Sequence, residues 1–303
     1  MSRISIIVPV YNESENIHPL FYEIKKYCPE DFELIWVDDG STDETLAEIQ
    51  QLAFNEERIK CISLSRNFGH QNAMFAGLNY AVGKYIITMD GDLQHPPSLI
   101  PQMLEKLKSG TDIVFTRKKS TKKSSWLSNT ITRACYKIIN FFSDTKIEEN
   151  LTDYRAFNHK VLDSVLQFKE KETFLRGIFT WIGYKSEVLE FNCHERVHGK
   201  TKYSFAQIFL TELNKIIAFN PSVTKFITTI LGLTIIITLF NVPLWPLLNS
   251  HSENLFSNWH IVLNLLVCAM QIILVIMIFK LVNISVSNSR KRPPYLVREM
   301  INF

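Results

Sequence analysis

The chain has 303 residues, 46% of them hydrophobic, and its 33 Lys and Arg against 30 Asp and Glu leave a net charge of +3. This balance argues against a dedicated nucleic-acid-binding protein, which would carry a strong basic excess, and the apolar content excludes global disorder. The five cysteines are odd in number and form no CxxC pair. They therefore indicate a reducing compartment and argue against a zinc cluster or a disulfide framework.

Strand-like and helical segments alternate over the first 120 residues. Short apolar runs predict five strands, and the amphipathic segments between them predict four helices. The strands are predicted at 4–10, 32–37, 59–64, 85–89 and 113–116, and the helices at 15–27, 43–54, 71–82 and 98–108. Ser41 or Thr42 is expected to begin the second helix as its cap. Four βα units in series predict a mostly parallel sheet covered on both faces, with ligands bound beyond the carboxyl ends of its strands.

Polar residues follow each of the first four predicted strands, at 9–13, 38–41, 65–69 and 90–94. The last cluster carries the most specific chemistry, because Asp90 and Asp92 are neighbouring carboxylates that need a counter-cation. Hard oxygen ligands suit Mg²⁺ or Mn²⁺, which prefer to share their coordination with substrate phosphates. A metal bound there would neutralise charge on a departing nucleotide.

Other polar residues at the strand ends have two interpretations. Asp38 and Asp39 could accept hydrogen bonds from a nucleotide base or ribose, or they could cap the following helix. Glu13 could bind a ligand or serve as an acidic residue in the first turn of a helix. His70 and His95 lack metal-ligand spacing, so we expect structural or supporting roles for both.

The C-terminal third contains two segments without charged residues, at 226–252 and 254–279. About 20 apolar residues cross a hydrocarbon core of about 30 Å, so two transmembrane helices are predicted; the alternative is a pair of buried core helices. Lys and Arg are absent from 241–258 but present on both flanks, which places both flanks in the cytoplasm. The predicted organisation is a cytoplasmic domain at 1–220, a transmembrane hairpin at 226–282 and a basic cytoplasmic tail at 283–303.

Basic residues are concentrated at 117–137, where seven Lys and Arg occur without an acidic residue. Apolar residues at helical spacing predict an interfacial helix near 126–143, which would hold Arg133 and Lys137 at the height of lipid phosphates. The alternative is a solvated basic loop followed by a core helix. Residues 203–219 have a similar pattern and predict a second interfacial helix.

Seven motifs occur in the order VPVYNE, WVDDGSTD, SRNFG, MDGDLQHPP, LTDYR, FLRG and HGKTKY, and the two apolar segments follow them. Together they resemble family 2 glycosyltransferases of the GT-A fold, and most of all the branch that acts on polyisoprenyl phosphates, which includes bactoprenol glucosyltransferases and dolichol-phosphate mannose synthases. The resemblance covers nearly the whole chain, including RPPYLVRE at 292–299. Gly91 stands where many members have Ala, which we expect to be harmless, and 283–289 lacks the GEY-type pattern often found there.

The resemblance implies an α/β GT-A nucleotide-sugar-binding domain with a mostly parallel sheet, followed by two transmembrane helices. Donor binding is implied for Pro9, Tyr11, Glu13, Asp38, Asp90, Asp92, Gln94, Arg196 and Lys202. A divalent metal, Mg²⁺ or Mn²⁺, would be held by Asp90, Asp92 and Gln94. Catalysis is implied for Asp153, Asp92 and Arg117. The acceptor phosphate would meet Arg117, Arg133, Lys137 and Arg155.

The implied reaction is the inverting transfer of a hexose from a nucleotide sugar to a polyisoprenyl phosphate at the cytoplasmic membrane face. The lipid would be undecaprenyl phosphate in a bacterium and dolichyl phosphate otherwise. The product would be a lipid-linked sugar donor for cell-surface glycan modification. UDP-glucose is the expected donor, with GDP-mannose, UDP-N-acetylhexosamine and modified sugars as alternatives. A homo-oligomer, a tetramer packed through the membrane helices, is a further expectation.

The resemblance implies that Asp153 is the catalytic base. A phosphate monoester is, however, largely ionised at pH 7, so little help is needed to remove a proton from the acceptor. We therefore expect Asp153 to orient the acceptor, or to place Arg155, as much as it takes a proton.

Three other functions fit the sequence less well. A processive polysaccharide synthase would carry a QxxRW motif and more membrane spans. A sugar-1-phosphate nucleotidylyltransferase would need a glycine-rich phosphate loop where VPVYNE stands. A non-catalytic membrane scaffold would not be expected to keep Asp90, Asp92, Asp153 and Arg117.

Overall fold

The structure, a computed structural model, describes residues 4–28, 31–119, 151–168, 174–192, 221–248, 255–289 and 292–303. These residues form two compact units. The first contains the described residues from 4 to 192 together with 292–303, and the second contains two long helices between 221 and 289. Several predictions lie outside the described residues: the interfacial helices at 126–143 and 203–219, and the side chains of Arg133, Lys137, Arg196 and Lys202.

The first unit is built on one sheet, in which the structure describes eight strands. They are β1 (Ile4–Val10), β2 (Phe32–Asp38), β3 (Ile59–Leu64), β4 (Tyr85–Thr88), β5 (Ile113–Lys118), β6 (Leu151–Asn158), β7 (Ser186–Phe191) and β8 (Val297–Ile301). The helices of this unit are α1 (Ser14–Tyr27), α2 (Thr45–Asn55), α3 (His70–Leu78), α4 (Ile100–Lys108), α5 (His159–Val165) and α6 (Leu175–Trp181), with a 3-10 turn at Pro97–Leu99.

The strand order is β7-β5-β6-β4-β1-β2-β3-β8. The four strands β3, β2, β1 and β4 run parallel, as do β5 and β7, whereas β6 and β8 run antiparallel to their neighbours. The prediction of a mostly parallel α/β sheet is therefore confirmed.

Continuous apolar runs explain why the central strands lie in the middle of this sheet. β1 and β2 are buried along their whole length, as expected of parallel strands that are covered on both faces. Helix α3 packs closely on these strands because residue 77 is a glycine. A side chain at Gly77 would place its first carbon 2.4 Å from Ile7 Cγ2 and 3.0 Å from Val37 Cγ2.

A polar cluster lies at the amino ends of the central strands. Glu33, at the start of β2, is 2% exposed and accepts hydrogen bonds from the Ser5 hydroxyl and from Val82 N at 3.1 Å. Lys60 Nζ lies 2.8 Å from the same carboxylate. The buried charge of Glu33 is therefore paired and hydrogen-bonded, as a buried carboxylate must be.

The five predicted strands are all present; two have the predicted ends, and the other three differ by one or two residues at one end. The second helix begins at Thr45, so the prediction that Ser41 or Thr42 begins it is wrong. The reason is that both residues bind the loop after β1 instead. Asn12 N donates to Ser41 Oγ at 3.0 Å, and Thr42 N donates to Asn12 Oδ1 at 2.8 Å.

Strand β8 lies in the segment that the sequence analysis described only as a basic tail. It pairs antiparallel with β3, with Ser63 opposite Glu299. The Asn302 amide donates to the backbone oxygens of Ala53 and Ile59, at 2.8 and 2.9 Å. The residues after the long helices therefore return to the sheet and cover the edge strand β3.

The second unit contains α7 (Pro221–Leu248) and α8 (Leu255–Ser289). Within the described residues, one stretch is long and apolar enough to cross a membrane, Val262–Asn283, and a shorter apolar stretch covers Lys225–Leu239. The two helices are joined by a hydrogen bond from Gln271 Nε2 to Thr238 Oγ1 at 2.8 Å.

Candidate active site

The antiparallel strand β6 brings two polar regions together at the carboxyl end of the sheet. Thr88, the last residue of β4, is paired with Arg155 of β6. The Thr88 hydroxyl also donates to the backbone oxygen of Asp153 at 2.6 Å. Because β6 runs in the opposite direction, Asp153 lies beyond the end of β4, beside the loop that begins at Asp90.

The loop 90–94 holds the first acidic group of the site. The side chain of Asp90 is one-third exposed, and its backbone N donates to His95 Nδ1 at 3.1 Å. Asp92 is mostly buried, and its Oδ1 accepts a hydrogen bond from Gln94 N at 3.1 Å. Gln94 Oε1 in turn accepts from Lys118 Nζ at 3.2 Å.

The backbone of this loop is strained and tightly packed. Leu93 has φ of +62°, a left-handed conformation that costs about 1–3 kcal/mol for a residue other than glycine and that is often found at functional sites. Gly91 lies against Val10, since a side chain there would begin 2.6 Å from Val10 Cγ1. This close approach explains why glycine fits at this position, where many members of the family that the sequence resembles have alanine.

The oxygen donors of this loop fit a divalent cation that shares its coordination with a substrate. Two carboxylates and one amide oxygen, from Asp90, Asp92 and Gln94, are hard ligands of the kind that Mg²⁺ prefers. A self-sufficient cluster of three or more His, Cys, Asp or Glu is absent among the described residues.

Asp153 forms the second acidic group and is enclosed by cationic side chains. Its side chain is 6% exposed. Its Oδ1 accepts from Arg155 Nη2 at 2.5 Å, and its Oδ2 accepts from Arg176 Nη2 at 2.9 Å and from Gln71 Nε2 at 3.1 Å. Burial alone would raise the pKa of this carboxyl, but Arg176 and Arg155 outweigh burial and hold the pKa well below its usual range.

Arg155 is directed inwards. It is 2% exposed, and its guanidinium carbon lies 4.6 Å from the centre of the Phe179 ring and 6.0 Å from that of Phe115. Burial lowers its pKa to about 10, so it stays protonated at neutral pH. The structure thus buries this predicted acceptor-phosphate ligand as a partner of Asp153, whereas the side chain of Arg176 is 35% exposed.

His70 lies between the two acidic groups. Its Nε2 is 3.2 Å from Asp90 Oδ1 and 3.9 Å from Asp153 Oδ2. Burial lowers the pKa of this imidazole, but the two carboxylates outweigh burial and raise it. The sequence analysis expected only a supporting role, although the position directly after the third polar cluster is a signal that could have pointed to the site.

His95 has the supporting role that was expected. It is 1% exposed and stacks on Tyr154 with ring centroids 5.1 Å apart. Its Nδ1 accepts the hydrogen bond from Asp90 N, and burial lowers its pKa. A neutral imidazole therefore fixes the backbone at the start of the 90–94 loop.

Four of the predicted donor-binding residues, Pro9, Tyr11, Glu13 and Asp38, lie in or just after β1 and β2. Pro9 is buried within β1, and Tyr11 follows this strand. Glu13 stands at the amino end of α1, where its Oε2 accepts from Asn16 Nδ2 at 2.5 Å. Tyr11 and Glu13 flank Asn12, whose φ is +54°.

Asp38 is fully buried, so its carboxylate lies beneath the surface of the site. It accepts from Ser41 N and from the Ser63 hydroxyl, each at 2.9 Å. In this structure Asp38 supports the turn around Gly40 from below, where φ of +70° and the close approach of the Arg66 backbone require glycine. The donor-binding role that was expected of Asp38 stays a prediction.

Asp39 fixes the neighbouring loop. Its two oxygens accept from Phe68 N at 2.7 Å and from Gly69 N at 2.9 Å. Burial raises the pKa of this carboxyl. Because His70 follows Gly69 directly, Asp39 holds the backbone that leads into His70.

Arg117 lies near the end of β5, where it is paired with Leu151 of β6 and Glu190 of β7. It is half-buried.

The contacts described above bring together the predicted residues Asp90, Asp92, Gln94, Asp153 and Arg155, and add His70, Gln71, Arg176 and Lys118. Arg176 belongs to the FLRG motif, to which the sequence analysis assigned no role.

Comparison with known proteins identifies the family. The profile of the family described as "Glycosyl transferase family 2" matches residues 5–166. The chain belongs to this family. As a family 2 glycosyltransferase with a GT-A-like α/β domain, it is an enzyme that transfers a sugar.

Named relatives of this glycosyltransferase share about a third of its residues. It is 34% identical over 255 residues to a "Prophage bactoprenol glucosyl transferase homolog" of Escherichia coli K12, with 82% of each chain covered. It is 32% identical over 252 residues to the "Bactoprenol glucosyl transferase" of Shigella phage SfX, again with 82% of each chain covered.

Solved structures similar to this chain include a mannosyltransferase of Pyrobaculum calidifontis in complex with GDP-Man and Mn²⁺. The TM-score is 0.48, with 16% identity and coverage of 95% of this chain and 87% of that one. The TarS protein of S. aureus, residues 1–349 in complex with UDP-GlcNAc, gives a TM-score of 0.49 with 19% identity, over 71% of this chain and 65% of that one.

Proposed function

We propose that this glycosyltransferase transfers glucose from UDP-glucose to a polyisoprenyl phosphate, undecaprenyl phosphate in a bacterium, at the cytoplasmic face of the membrane. The observation that carries the proposal is the 32–34% identity, over 82% of both chains, to proteins named for bactoprenol glucosyl transfer. The product would be a lipid-linked glucose that later enzymes use to modify cell-surface glycans.

In the proposed reaction, an oxygen of the lipid phosphate attacks the anomeric carbon of the sugar. The bond from that carbon to the nucleoside diphosphate breaks at the same time, so the configuration inverts and UDP leaves. The acceptor is largely ionised at pH 7, so the main barrier is bringing two anions together and not removing a proton. Cationic side chains at the site lower that barrier.

Asp153 acts in this proposal as an anchor for arginines. Its low pKa and its bonds to Arg155 and Arg176 make it a poor proton acceptor. Arg176, whose side chain is one-third exposed, and Arg117 are proposed to meet the acceptor phosphate, while Arg155 supports them from the interior. Arg133 and Lys137 are proposed to bind the same phosphate from the segment that follows β5.

The donor diphosphate is proposed to lie over the 90–94 loop. Asp90, Asp92 and Gln94 would hold Mg²⁺ or Mn²⁺, which when bound would neutralise charge on the diphosphate. Lys118, bonded to Gln94, adds positive charge at the same place. The nucleoside is proposed to lie against Pro9, Tyr11 and Glu13, with Asp38 supporting the adjacent turn and with Arg196 and Lys202 closing over the diphosphate.

The path of the chain supports two membrane crossings. The residues before 193 and after 291 that the structure describes belong to the same unit, because β8 pairs with β3. A chain that leaves this unit and returns to it crosses a membrane an even number of times. If Val262–Asn283 of α8 spans, a second span is needed, and we propose α7.

The proposed topology places residues 1–220 and 283–303 in the cytoplasm and the hairpin 226–282 in the membrane. Large side chains on α8 such as Leu265 and Leu266 are each 64% exposed, which suits contact with lipid or with another copy. A homo-oligomer packed through these helices, such as a tetramer, is part of the proposal.

The test is transfer by detergent-purified protein with Mg²⁺ or Mn²⁺, undecaprenyl phosphate and radiolabelled UDP-glucose, UDP-N-acetylglucosamine or GDP-mannose. We expect label from UDP-glucose in the lipid phase, and none without the lipid. Label from a different donor would overturn the choice of sugar but keep the reaction class. Absence of both labelled lipid and nucleotide release with every donor would contradict the proposed function.

A further inference from the structure

Arg298 of β8 lies next to a side chain that belongs to the donor side of the site. Its Nη2 donates to Ser63 Oγ at 2.9 Å, across 235 residues of sequence. Ser63 is fully buried on β3, and its hydroxyl donates to Asp38 Oδ2 at 2.9 Å. The single hydroxyl thus accepts from an arginine and donates to a carboxylate.

The same chain of hydrogen bonds continues to the loops at the surface. Asp38 Oδ1 accepts from Ser41 N at 2.9 Å, and Ser41 Oγ accepts from Asn12 N at 3.0 Å. Four hydrogen bonds therefore connect Arg298 to Asn12, between Tyr11 and Glu13. Asn12 has the left-handed φ of +54°, a conformation that the surrounding contacts must maintain.

The charges along this path explain why a positively charged residue, Arg298, is favourable beside Ser63. Asp38 and Asp39 are adjacent and both buried, so their carboxylates repel each other. The guanidinium of Arg298 donates to Ser63 Oγ and places positive charge on the far side of this hydroxyl, where it offsets part of that repulsion. Its hydrogen bond also leaves the Ser63 hydroxyl hydrogen to point at Asp38.

We propose that Arg298 is a positioning residue for nucleotide binding, acting through Ser63 and Asp38 on the loops 11–13 and 38–42. The proposal rests on the proposed function, since these loops are taken to hold the donor nucleotide. In this proposal, β8 strengthens the binding of the donor nucleotide in addition to covering the edge of β3.

The experiment measures binding of UDP, and separately of GDP, to the detergent-purified full chain by calorimetry with Mg²⁺. For the nucleotide that wild type binds, we expect Arg298→Ala and Ser63→Ala each to weaken Kd about tenfold, the size expected for one charge-assisted hydrogen bond. The double variant should be no weaker than either single one, because both interrupt the same path. Arg298→Lys, which keeps the charge and a donor, should stay within about threefold of wild type.

Asn302→Ala is the matched control, because the Asn302 amide fastens the same segment to Ala53 and Ile59 without touching the path. It should lower Tm at least as much as Arg298→Ala and leave Kd within about twofold. Hydrogen exchange provides a second readout. In Arg298→Ala the amides of Ser41 and Asn12 should exchange faster, while those of β3 keep their protection.

The outcomes separate the two proposals. Unchanged Kd in Arg298→Ala, or an equal loss of Kd in Asn302→Ala, would overturn the positioning role and leave the proposed function standing. Failure of wild type to bind either nucleotide would contradict the proposed function, and with it this inference. Transfer assays should show a raised donor KM in Arg298→Ala with little change in the acceptor KM.

Discussion

Strand β2 carries a buried carboxylate at each end, and the two differ in what surrounds them. Glu33, at the amino end, meets Ser5, Lys60 and the backbone of Val82. Asp38, at the carboxyl end, also has protein partners, Ser63 of β3 and Ser41, and Ser41 belongs to a loop that binds Asn12 in the loop after β1. The two residues are almost equally buried, since Glu33 is 2% exposed and Asp38 is 0% exposed.

The comparison teaches that burial of an acid does not by itself mark a functional site. At the amino end, the polar cluster joins neighbouring strands and ends there. At the carboxyl end, Asp39 fixes the loop before His70, and His70 contacts both Asp90 and Asp153. We therefore expect substitutions at the carboxyl end to change catalysis, and substitutions at the amino end to change the free energy of unfolding alone.

The largest effect is expected for Asp92→Asn. Loss of one charge from the proposed metal ligands should lower the rate of transfer by about 100-fold or more, with Tm close to wild type. The rate is measured as label entering the lipid phase, and Tm by thermal melting. Asp163→Asn, on the exposed side chain beside His159, is the control and should retain full activity. Wild-type turnover in Asp92→Asn would remove this loop from the reaction.

Asp153→Asn should lower both the rate of transfer and the free energy of unfolding. Without the carboxylate, the buried Arg155 keeps its charge but loses its counter-ion, and breaking a buried pair lowers the free energy of unfolding by about 3–5 kcal/mol. Transfer per folded molecule should also fall at least about tenfold, since Arg176 loses its anchor. If Asp153→Asn is as active as wild type, Asp153 does not position these arginines.

Glu33→Gln tests the amino end. Lys60 would lose its partner, and the free energy of unfolding should fall by about 1–3 kcal/mol. Transfer per folded molecule should stay unchanged. Glu48→Gln, at the half-exposed pair with His18, is the control and should cost about 0.5 kcal/mol or less. A loss of kcat in Glu33→Gln would mean that the two ends are coupled.

The smallest effect is a dependence on pH. Because the folded-state pKa of Asp153 lies below its unfolded value of about 3.9, its stabilisation is present above that value and is lost as the pH falls towards the folded pKa. The difference in unfolding free energy between wild type and Asp153→Asn should be constant above about pH 5 and shrink by about 1 kcal/mol at pH 3. Melting at several pH values measures it, and a constant difference down to pH 3 would contradict the low pKa.

The sequence predicts the first five strands to within two residues because each βα unit carries its own local pattern. The four intervening helices are all present, but the third was predicted to end at residue 82 and ends at Leu78. The same regularity locates Asp90 and Asp92, since the carboxyl ends of parallel strands share one edge of the sheet. The start of α2 was predicted wrongly because Ser41 and Thr42 bond to Asn12, 29 and 30 residues away. A capping rule that considers only neighbouring residues cannot detect a hydrogen-bond partner as distant in sequence as Asn12.

The remaining features depend on pairing between distant segments. Arg176 belongs to the site because it pairs with Asp153, and no spacing within FLRG indicates that contact. Strand β8 was missed because it is an edge strand with mostly exposed side chains, so it lacks the apolar run that reveals an interior strand. Its charged and proline-rich neighbours resemble a tail in composition.

Strand β8 also fixes an order of events during synthesis. The sheet formed by β1 to β7 can begin to fold once that part has left the ribosome, but the edge of β3 stays open until Val297–Ile301 follow, after α8 has been made. Domains generally fold from the N-terminal side as the chain emerges, and contacts across more than 200 residues form late. Under the proposals above, the loops 11–13 and 38–42 would thus reach their final state only after the apolar helices exist, so that the proposed membrane hairpin would be made before the donor site is complete.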